Sequence, residues 1–291
     1  MMIKTLSKLA VAVVFFVLVG ATCADGAKKN ITIAISPCTD VVMSFKKFNP
    51  LVTYLKEQTG LDIRLVVPMD SADFERDIKS GAIDFALQDP NVYVRFARLY
   101  DKGTLIRALT PEGGTSQSGV VIVRKDGNIN QLEDVTGKTV MFGPKLSAAR
   151  WVAAKFLFEE HGINIDKDLK AYSNGKCCED IAFSVYLKAV DAGVVCDHFL
   201  EEHSKKQKEL GVEIKQIRVI ARTGLVSTRV FAARLGTSKS ITVQINEALL
   251  RLDKNKPAHA KILSPAELGG FQKSEDEDYD NIRMLIETKD D

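Results

Sequence analysis

Short apolar runs alternate with longer amphipathic segments along the chain from residue 31 onwards. Apolar runs predict strands at 31–36, 62–68 and 84–88, and segments with one apolar face predict helices at 48–60 and 71–81. Gly60 suits the end of the first helix, Ser71 suits the N-cap of the second, and Pro90 suits the start of a third. Such short strand–helix–strand units predict parallel strands that are joined by crossover helices.

A second run of the same kind begins near residue 118. It predicts strands at 118–127, 138–143, 191–195, 213–221 and 228–234, and helices at 147–162, 178–190, 197–211, 241–255 and 279–287. No linker rich in Pro, Gly or Ser separates the two runs. The fold class that this pattern indicates is α/β with two lobes, and a ligand is expected between them, at strand C-termini and helix N-termini.

The first 24 residues have the pattern of a secretory signal peptide. Lys4 and Lys8 form its basic region, Leu9 to Val19 its apolar region, and small residues follow up to Ala24. The apolar stretch is short for a membrane span. Thr22 disfavours lipid attachment at Cys23, so cleavage near Ala24 and a periplasmic location are expected.

The chain is neither strongly basic nor strongly acidic, because it has 40 Lys and Arg residues and 38 Asp and Glu residues. The 291-residue chain has a formal net charge of +2, and removal of Lys4 and Lys8 with the signal peptide leaves none. Nothing in this balance indicates a nucleic-acid or membrane-surface partner. The composition, 45% hydrophobic and 27% charged, is that of an ordinary globular protein.

Several blocks resemble the phosphate/phosphite/phosphonate-binding family of solute receptors that serve ABC transporters. They are FNPLVTYLKEQTG (48–60), GAIDFALQDPNVYV (81–94), SGVVIVRKDGNINQLEDVTGKTVMFG (118–143), AVDAGVV (189–195) and GGFQKSEDEDYDNIRML (269–285), the last resembling the family's C-terminal helix. They follow the family's order over nearly the whole mature chain.

The resemblance implies a type II periplasmic-binding-protein clamshell, with two α/β lobes joined by two crossover segments near Gly119–Val123 and Arg218–Thr223. Lobe 1 would comprise 28–120 and 222–291, and lobe 2 would comprise 121–221. The expected protein is a monomer without a cofactor that binds a small anion and serves an ABC permease. Alternatives are a sensor subunit for a membrane histidine kinase and a fold that has lost its ligand.

The family's ligand positions can be carried over by residue. A Ser-Thr-Ser-Gly-like turn that holds the anion falls here on Ser147, Ala148, Ala149 and Arg150, so one hydroxyl remains beside the backbone N–H groups of a helix start. Arg150 would either add a charged contact or point to solvent.

Four further positions carry over. Tyr93 matches a ligand-facing tyrosine, and Cys178 stands where a histidine is common. His198 and Arg229 replace the carboxylates of receptors for aminophosphonates, which argues against tight binding of that class.

Cys38, Cys178 and Cys196 all fall at cleft positions in this alignment. Three interpretations stay open: a disulfide from Cys177 or Cys178 to Cys196, a site for a thiophilic ligand such as arsenite, and inert packing thiols. Catalysis is not expected, since Cys196, Asp197 and His198 are adjacent in sequence and a catalytic triad is a spatial arrangement.

Overall fold

The computed structural model describes residues 30–37, 40–199 and 214–287. A six-stranded sheet forms the first unit, in the order β13-β4-β12-β3-β1-β2. These strands are β1 (Ile31–Ile35), β2 (Ile63–Val66), β3 (Phe85–Gln88), β4 (Ile106–Leu109), β12 (Val230–Ala233) and β13 (Gly270–Lys273). The predicted parallel pairing is confirmed for β1 with β2 and for β1 with β3, whereas β12 runs antiparallel to β3.

Helices cover both faces of this sheet. They are α1 (Val41–Thr59), α2 (Ser71–Ser80), α3 (Pro90–Phe96), α6 (Lys239–Leu250), α7 (Pro257–Leu263) and α8 (Asp280–Glu287). The helix α1 buries Leu51 and Leu55 against β1, and α2 buries Phe74 on the other face. Because every β1 side chain is buried, its alternate residues serve the two different cores.

A five-stranded sheet forms the second unit, in the order β10-β6-β9-β7-β8. Its strands are β6 (Gly119–Arg124), β7 (Thr139–Phe142), β8 (Ala171–Asn174), β9 (Ala192–Cys196) and β10 (Ile217–Arg222). The helices α4 (Ala153–Glu160) and α5 (Cys178–Tyr186) pack on opposite faces, α4 through Leu157 and Phe158.

The chain passes between the sheets beside a two-stranded ribbon, β5 (Ser116–Gln117) with β11 (Val226–Ser227). The predicted crossover segments lie in β6 and β10, which pair antiparallel with each other. The limits proposed for the two lobes, 28–120 with 222–291 and 121–221, stay a prediction.

Several element boundaries differ from the sequence prediction. The helix α1 begins at Val41, because the Asp40 side chain accepts the N–H of Met43 and caps it there, and Pro50 lies inside the helix. Asp70, not Ser71, caps α2. The block at 269–285 begins with strand β13 before helix α8.

The signal peptide, Cys23, Cys38 and most of the helix predicted at 197–211 lie outside the described residues. Within the described ranges, no helix has both the length and the apolar character needed to cross a membrane.

Candidate ligand-binding site

A cavity of about 90 Å³, measured as the space open to the centres of water molecules, lies between the two sheets. One water needs roughly 10–15 Å³ on this measure, so the cavity can hold a small ion. Both units contribute charged side chains to its wall: Lys47, Asp89, Arg229 and Glu267 from the first, and Arg150 and Glu179 from the second, which also contributes His198.

The predicted turn at Ser147–Arg150 forms the second unit's side of the cavity. Ala148–Val152 is a π-helical turn rather than the start of a regular α-helix, and α4 continues from it. Trp151 and Val152 both donate their N–H groups to the Ser147 carbonyl, each at 3.1 Å. The Ser147 hydroxyl accepts the N–H of Arg150 at 3.3 Å, so its side chain caps the turn.

Arg150 points into the protein and not to solvent. Its side chain lines the cavity, the residue is only 5% exposed, and Nη1 lies 3.6 Å from the Cys178 sulfur. Its side chain packs closely on Gly143, where an added Cβ would meet the Arg150 Cβ at 2.5 Å. The turn therefore presents a fixed guanidinium to the cavity.

Asp89 is the acidic residue most closely attached to this turn. It follows β3 and caps α3, and its Oδ1 accepts N–H groups from Asn91 and, across the cleft, from Ala148, both at 2.9 Å. Burial raises the pKa of Asp89 to about 6, although those N–H groups, Arg150 and Arg229 all oppose the change. The N–H of Ala148, predicted to face the ligand, is thus held by a carboxyl of the first unit.

The first unit adds a second guanidinium and an ion pair. Arg229 lies over the Phe48 ring, with 6.0 Å between its guanidinium carbon and the ring centre. Lys47 donates to Glu267 at 3.0 Å. Burial alone would raise the pKa of Glu267, but Lys47, Arg229 and His198 hold it below its usual value.

Glu267 also has a strained backbone, with φ of 56°. A non-glycine residue in the left-handed region costs energy and is often found at functional sites.

The three described cysteines are thiols and occupy different environments. Cys177 is buried and its sulfur caps α5 by accepting the N–H of Asp180 at 3.4 Å. Cys178 faces the cavity, where its sulfur accepts the N–H of Cys196 at 3.2 Å. Of the two pairings predicted with Cys196, the geometry favours Cys178.

His198 lines the same cavity beside a carboxylate. Its Nδ1 lies 3.6 Å from Asp197 Oδ1. The other oxygen, Asp197 Oδ2, accepts from the N–H and hydroxyl of Ser118, at 3.0 and 2.8 Å, and from Arg222 at 3.2 Å. Although burial raises it, hydrogen bonds from His198 and Ser118 bring the pKa of Asp197 down to about 2.

The structure brings most of the predicted site residues together. Six of them line the cavity: Ser147, Arg150, Cys178, Cys196, His198 and Arg229. Ala148 and Ala149 belong to the same turn, but they are buried and do not line the cavity.

Tyr93 does not line the cavity. It is fully buried on the far side of α3, where its hydroxyl donates to Asp276 at 2.7 Å and its ring packs on Tyr279. Burial and that acceptor raise its pKa.

Four charged cavity residues were missed in the sequence: Lys47, Asp89, Glu179 and Glu267. Usable signals existed for Glu179, which is next to the predicted Cys178, and for Asp89. Asp89 directly follows a buried strand and precedes a helix-starting proline, a position where α/β proteins place ligand-binding groups. Lys47 and Glu267 are separated by 220 positions, and no local pattern relates them. Among the described residues, no cluster of three His, Cys, Asp or Glu side chains could hold a metal ion.

The two sheets, their helices and the cavity between them define the class of type II periplasmic binding proteins, and comparison with solved structures supports this fold. The chain has a TM-score of 0.77 at 18% identity with the binding-protein component of an ABC phosphonate transporter from Pseudomonas aeruginosa, covering 89% of this chain and 86% of that one. It has a TM-score of 0.79 at 16% identity with PhnD1 from Prochlorococcus marinus, solved in complex with methylphosphonate, covering 90% and 99%.

The family follows from the sequence. The model for the phosphonate periplasmic substrate-binding proteins of ABC transporters matches residues 33–279, and the chain belongs to this family. Its similarity to the phosphate-import protein PhnD of Mycolicibacterium smegmatis is 24% identity over 225 residues, 73% of this chain and 68% of the relative. The predicted family, fold and substrate-binding role are thereby confirmed.

Proposed function

We propose that this protein captures a small phosphorus oxyanion, of the phosphate, phosphite or alkylphosphonate class, and delivers it to an ABC permease. The observation that carries the proposal is the convergence of Arg150 and Arg229 on one cavity, from opposite units of a binding-protein fold. Guanidinium groups suit tetrahedral oxyanions because they donate two parallel hydrogen bonds to them.

The acidic residues in the wall narrow the class of ligand. Lys47 and Glu267 neutralise each other, which leaves the two arginines opposite Asp89 and Glu179. A dianion would be poorly balanced by such a wall. Asp89, with a pKa of about 6, can share a proton with a ligand oxygen, so a singly protonated oxyanion fits best.

The family and the signal-peptide pattern of residues 1–24 support a periplasmic location. Residues 1–24 direct export, cleavage falls near Ala24, and the mature protein works in the periplasm. The intact mass of protein recovered from that compartment tests this part.

Titration calorimetry of the mature protein tests the ligand class. Methylphosphonate, phosphite and phosphate at pH 6 and pH 8 are the ligands, with sulfate as the control because it carries no proton at either pH. We expect binding of a phosphorus oxyanion that is stronger at pH 6, and little sulfate binding. Equal affinity for sulfate, or no heat with any phosphorus oxyanion, would contradict the proposal.

A further inference from the structure

Two cysteine side chains meet on the wall of the ligand cavity. Cys178 is the first residue of α5 and Cys196 the last of β9, and 17 residues separate them in the chain. The Cys178 sulfur accepts hydrogen bonds from both the side chain and the N–H of Cys196, the latter at 3.2 Å. The family's ligand class gives such a pair no role.

The environment of Cys178 makes its sulfur reactive. The Cys196 side chain lowers the pKa of the Cys178 thiol, burial opposes this, and Arg150 lowers it further, so that it reaches about 6. A thiol at a helix N-terminus beside an arginine is the usual setting of a nucleophilic cysteine. Cys177 is the opposite case, because burial raises its pKa and its sulfur caps the helix.

We propose that Cys178 and Cys196 are a redox-active pair, and that their oxidation to a disulfide removes a thiolate from beside Arg150 and strengthens oxyanion binding. The disulfide part stands on the geometry of the pair, and the affinity part rests on the proposed function.

The oxidant is a disulfide, either of a protein oxidant or of a small thiol in the exported compartment. The Cys178 thiolate attacks one oxidant sulfur, the oxidant S–S bond breaks, and one thiolate leaves. That thiolate takes the proton of Cys196, whose sulfur then attacks Cys178 and displaces the second oxidant sulfur. The second oxidant sulfur leaves as a thiolate and takes a proton from water. Two electrons thereby pass from the cysteine pair to the oxidant, which ends as two thiols.

The charge of the cavity couples this step to the ligand. In the reduced protein, the Cys178 thiolate lies against the guanidinium that the oxyanion needs, at 3.6 Å from Nη1. Disulfide formation removes the negative charge of the Cys178 sulfur, so the Arg150 guanidinium can bind the ligand without that competing anion. For a charge this close, we expect oxidation to tighten binding about tenfold.

Thiol mapping tests the disulfide. The mature protein is equilibrated with mixtures of reduced and oxidised glutathione, quenched with acid, alkylated in denaturant and examined by peptide mass mapping. We expect Cys178 and Cys196 to form a disulfide while Cys177 stays alkylated. Unchanged thiols in excess oxidised glutathione, or a disulfide that uses Cys38 or Cys177, would overturn the pair.

Calorimetry with methylphosphonate on fully reduced and fully oxidised protein tests the coupling. Cys178→Ser should bind like the oxidised form and ignore reductant. Cys177→Ser, in which serine keeps the helix cap, should respond to reductant like the unmodified protein. Equal affinities in the two redox forms would overturn the coupling. Absence of binding in both would overturn the proposed function instead, and the mass mapping would still decide on the disulfide.

Discussion

Asp89 shows how a single residue can serve both the fold and the cavity. Its carboxyl ends a buried strand, caps a helix and reaches across the cleft to the Ala148 N–H. Burial makes the ionised form of Asp89 less favourable. Its pKa is therefore raised to about 6.

Asp89→Asn should make the protein more stable at pH 7.5. The amide oxygen can still accept both N–H groups, and the buried charge is gone. Because the folded-state pKa lies above the unfolded value, Asp89 stabilises the fold fully at low pH, and this is lost as the pH rises through about 6. We expect the unfolding free energy of the variant to exceed that of the unmodified protein by up to about 2–3 kcal/mol at pH 7.5, and to equal it at pH 4.

Urea unfolding of both proteins across this pH range is the measurement. If the two proteins differed in unfolding free energy by the same amount at pH 4 and at pH 7.5, the Asp89 carboxyl would not titrate in this range.

Arg150→Gln should abolish most of the oxyanion affinity. Each hydrogen bond from a charged group contributes about 1.5–3 kcal/mol, so loss of the guanidinium should weaken binding by roughly 10²-fold. Arg95→Gln is the matched control, since Arg95 is exposed on α3 and pairs with Glu75 outside the cavity. Calorimetry with methylphosphonate decides, and similar losses in both variants would rule out a specific role for Arg150.

Among elements, the π-helical turn at Ala148–Val152 packs closely against a neighbouring strand. Strand β6 passes directly beneath it, and Gly119 allows that approach, because a Cβ there would lie 2.5 Å from the Ala149 carbonyl oxygen. The Gly119 N–H also donates to the Thr223 hydroxyl, and the Gly119 carbonyl accepts the Thr223 N–H, in the second connection between the sheets. The turn, the first connection and the second are therefore packed at one point.

Gly119→Ala should displace the turn and weaken both the fold and ligand binding. An overpacked contact of this kind costs about 1–3 kcal/mol of unfolding free energy. Gly224→Ala is the control, since an added Cβ there would meet no atom within 4 Å. Thermal unfolding and calorimetry of both variants test the expectation, and a harmless Gly119→Ala would contradict the close packing described above.

The sequence predicted those strands and helices whose own residues show an apolar pattern. Buried strands such as β1 and β3 are continuous apolar runs. Strand β8, AYSN, is an exposed edge strand with no such run, and β13 begins with glycine, so both depend on pairing with distant strands. The start of α1 was placed too late because the prediction rested on the apolar face of Leu51, Tyr54 and Leu55, whereas the helix is capped at Asp40.

The same distinction applies to the site. The turn at Ser147–Arg150 could be located because it begins a helix in a conserved order of family blocks. The direction of the Arg150 side chain could not, because it depends on the π-helical turn and on packing against Gly143. Opposite charges at Lys47 and Glu267 meet only through the tertiary fold.

For the whole molecule, Asp197 joins the parts that connect the two units. Its Oδ2 accepts from Ser118, just before β6, and from Arg222, at the end of β10. Since the two sheets are linked through these segments, this carboxylate stabilises the connection about which the units would close on a ligand.

Asp197→Asn should lower the unfolding free energy at pH 7. The pKa of Asp197 is lowered to about 2, so its contribution is present above the unfolded-state pKa and lost as the pH falls towards 2. We expect the unfolding free energy to fall by about 1–2 kcal/mol at pH 7, and by less below pH 4.

Asp126→Asn removes an exposed carboxylate that pairs with Arg124, so it serves as the control and should lower stability by less. Chemical denaturation at pH 7 and pH 3 makes the comparison, and equal losses in the two variants would remove Asp197 from this role.

The position of Trp151 gives the molecule a built-in optical probe. This is the only tryptophan in the chain, it follows Arg150 in the π-helical turn, and it packs edge-on against Phe142 with ring centres 5.6 Å apart. We expect a ligand that binds Arg150 to change the environment of the neighbouring indole. Intrinsic fluorescence should therefore report ligand capture in real time, without a dye, and a signal unaffected by saturating ligand would show that the turn stays fixed during binding.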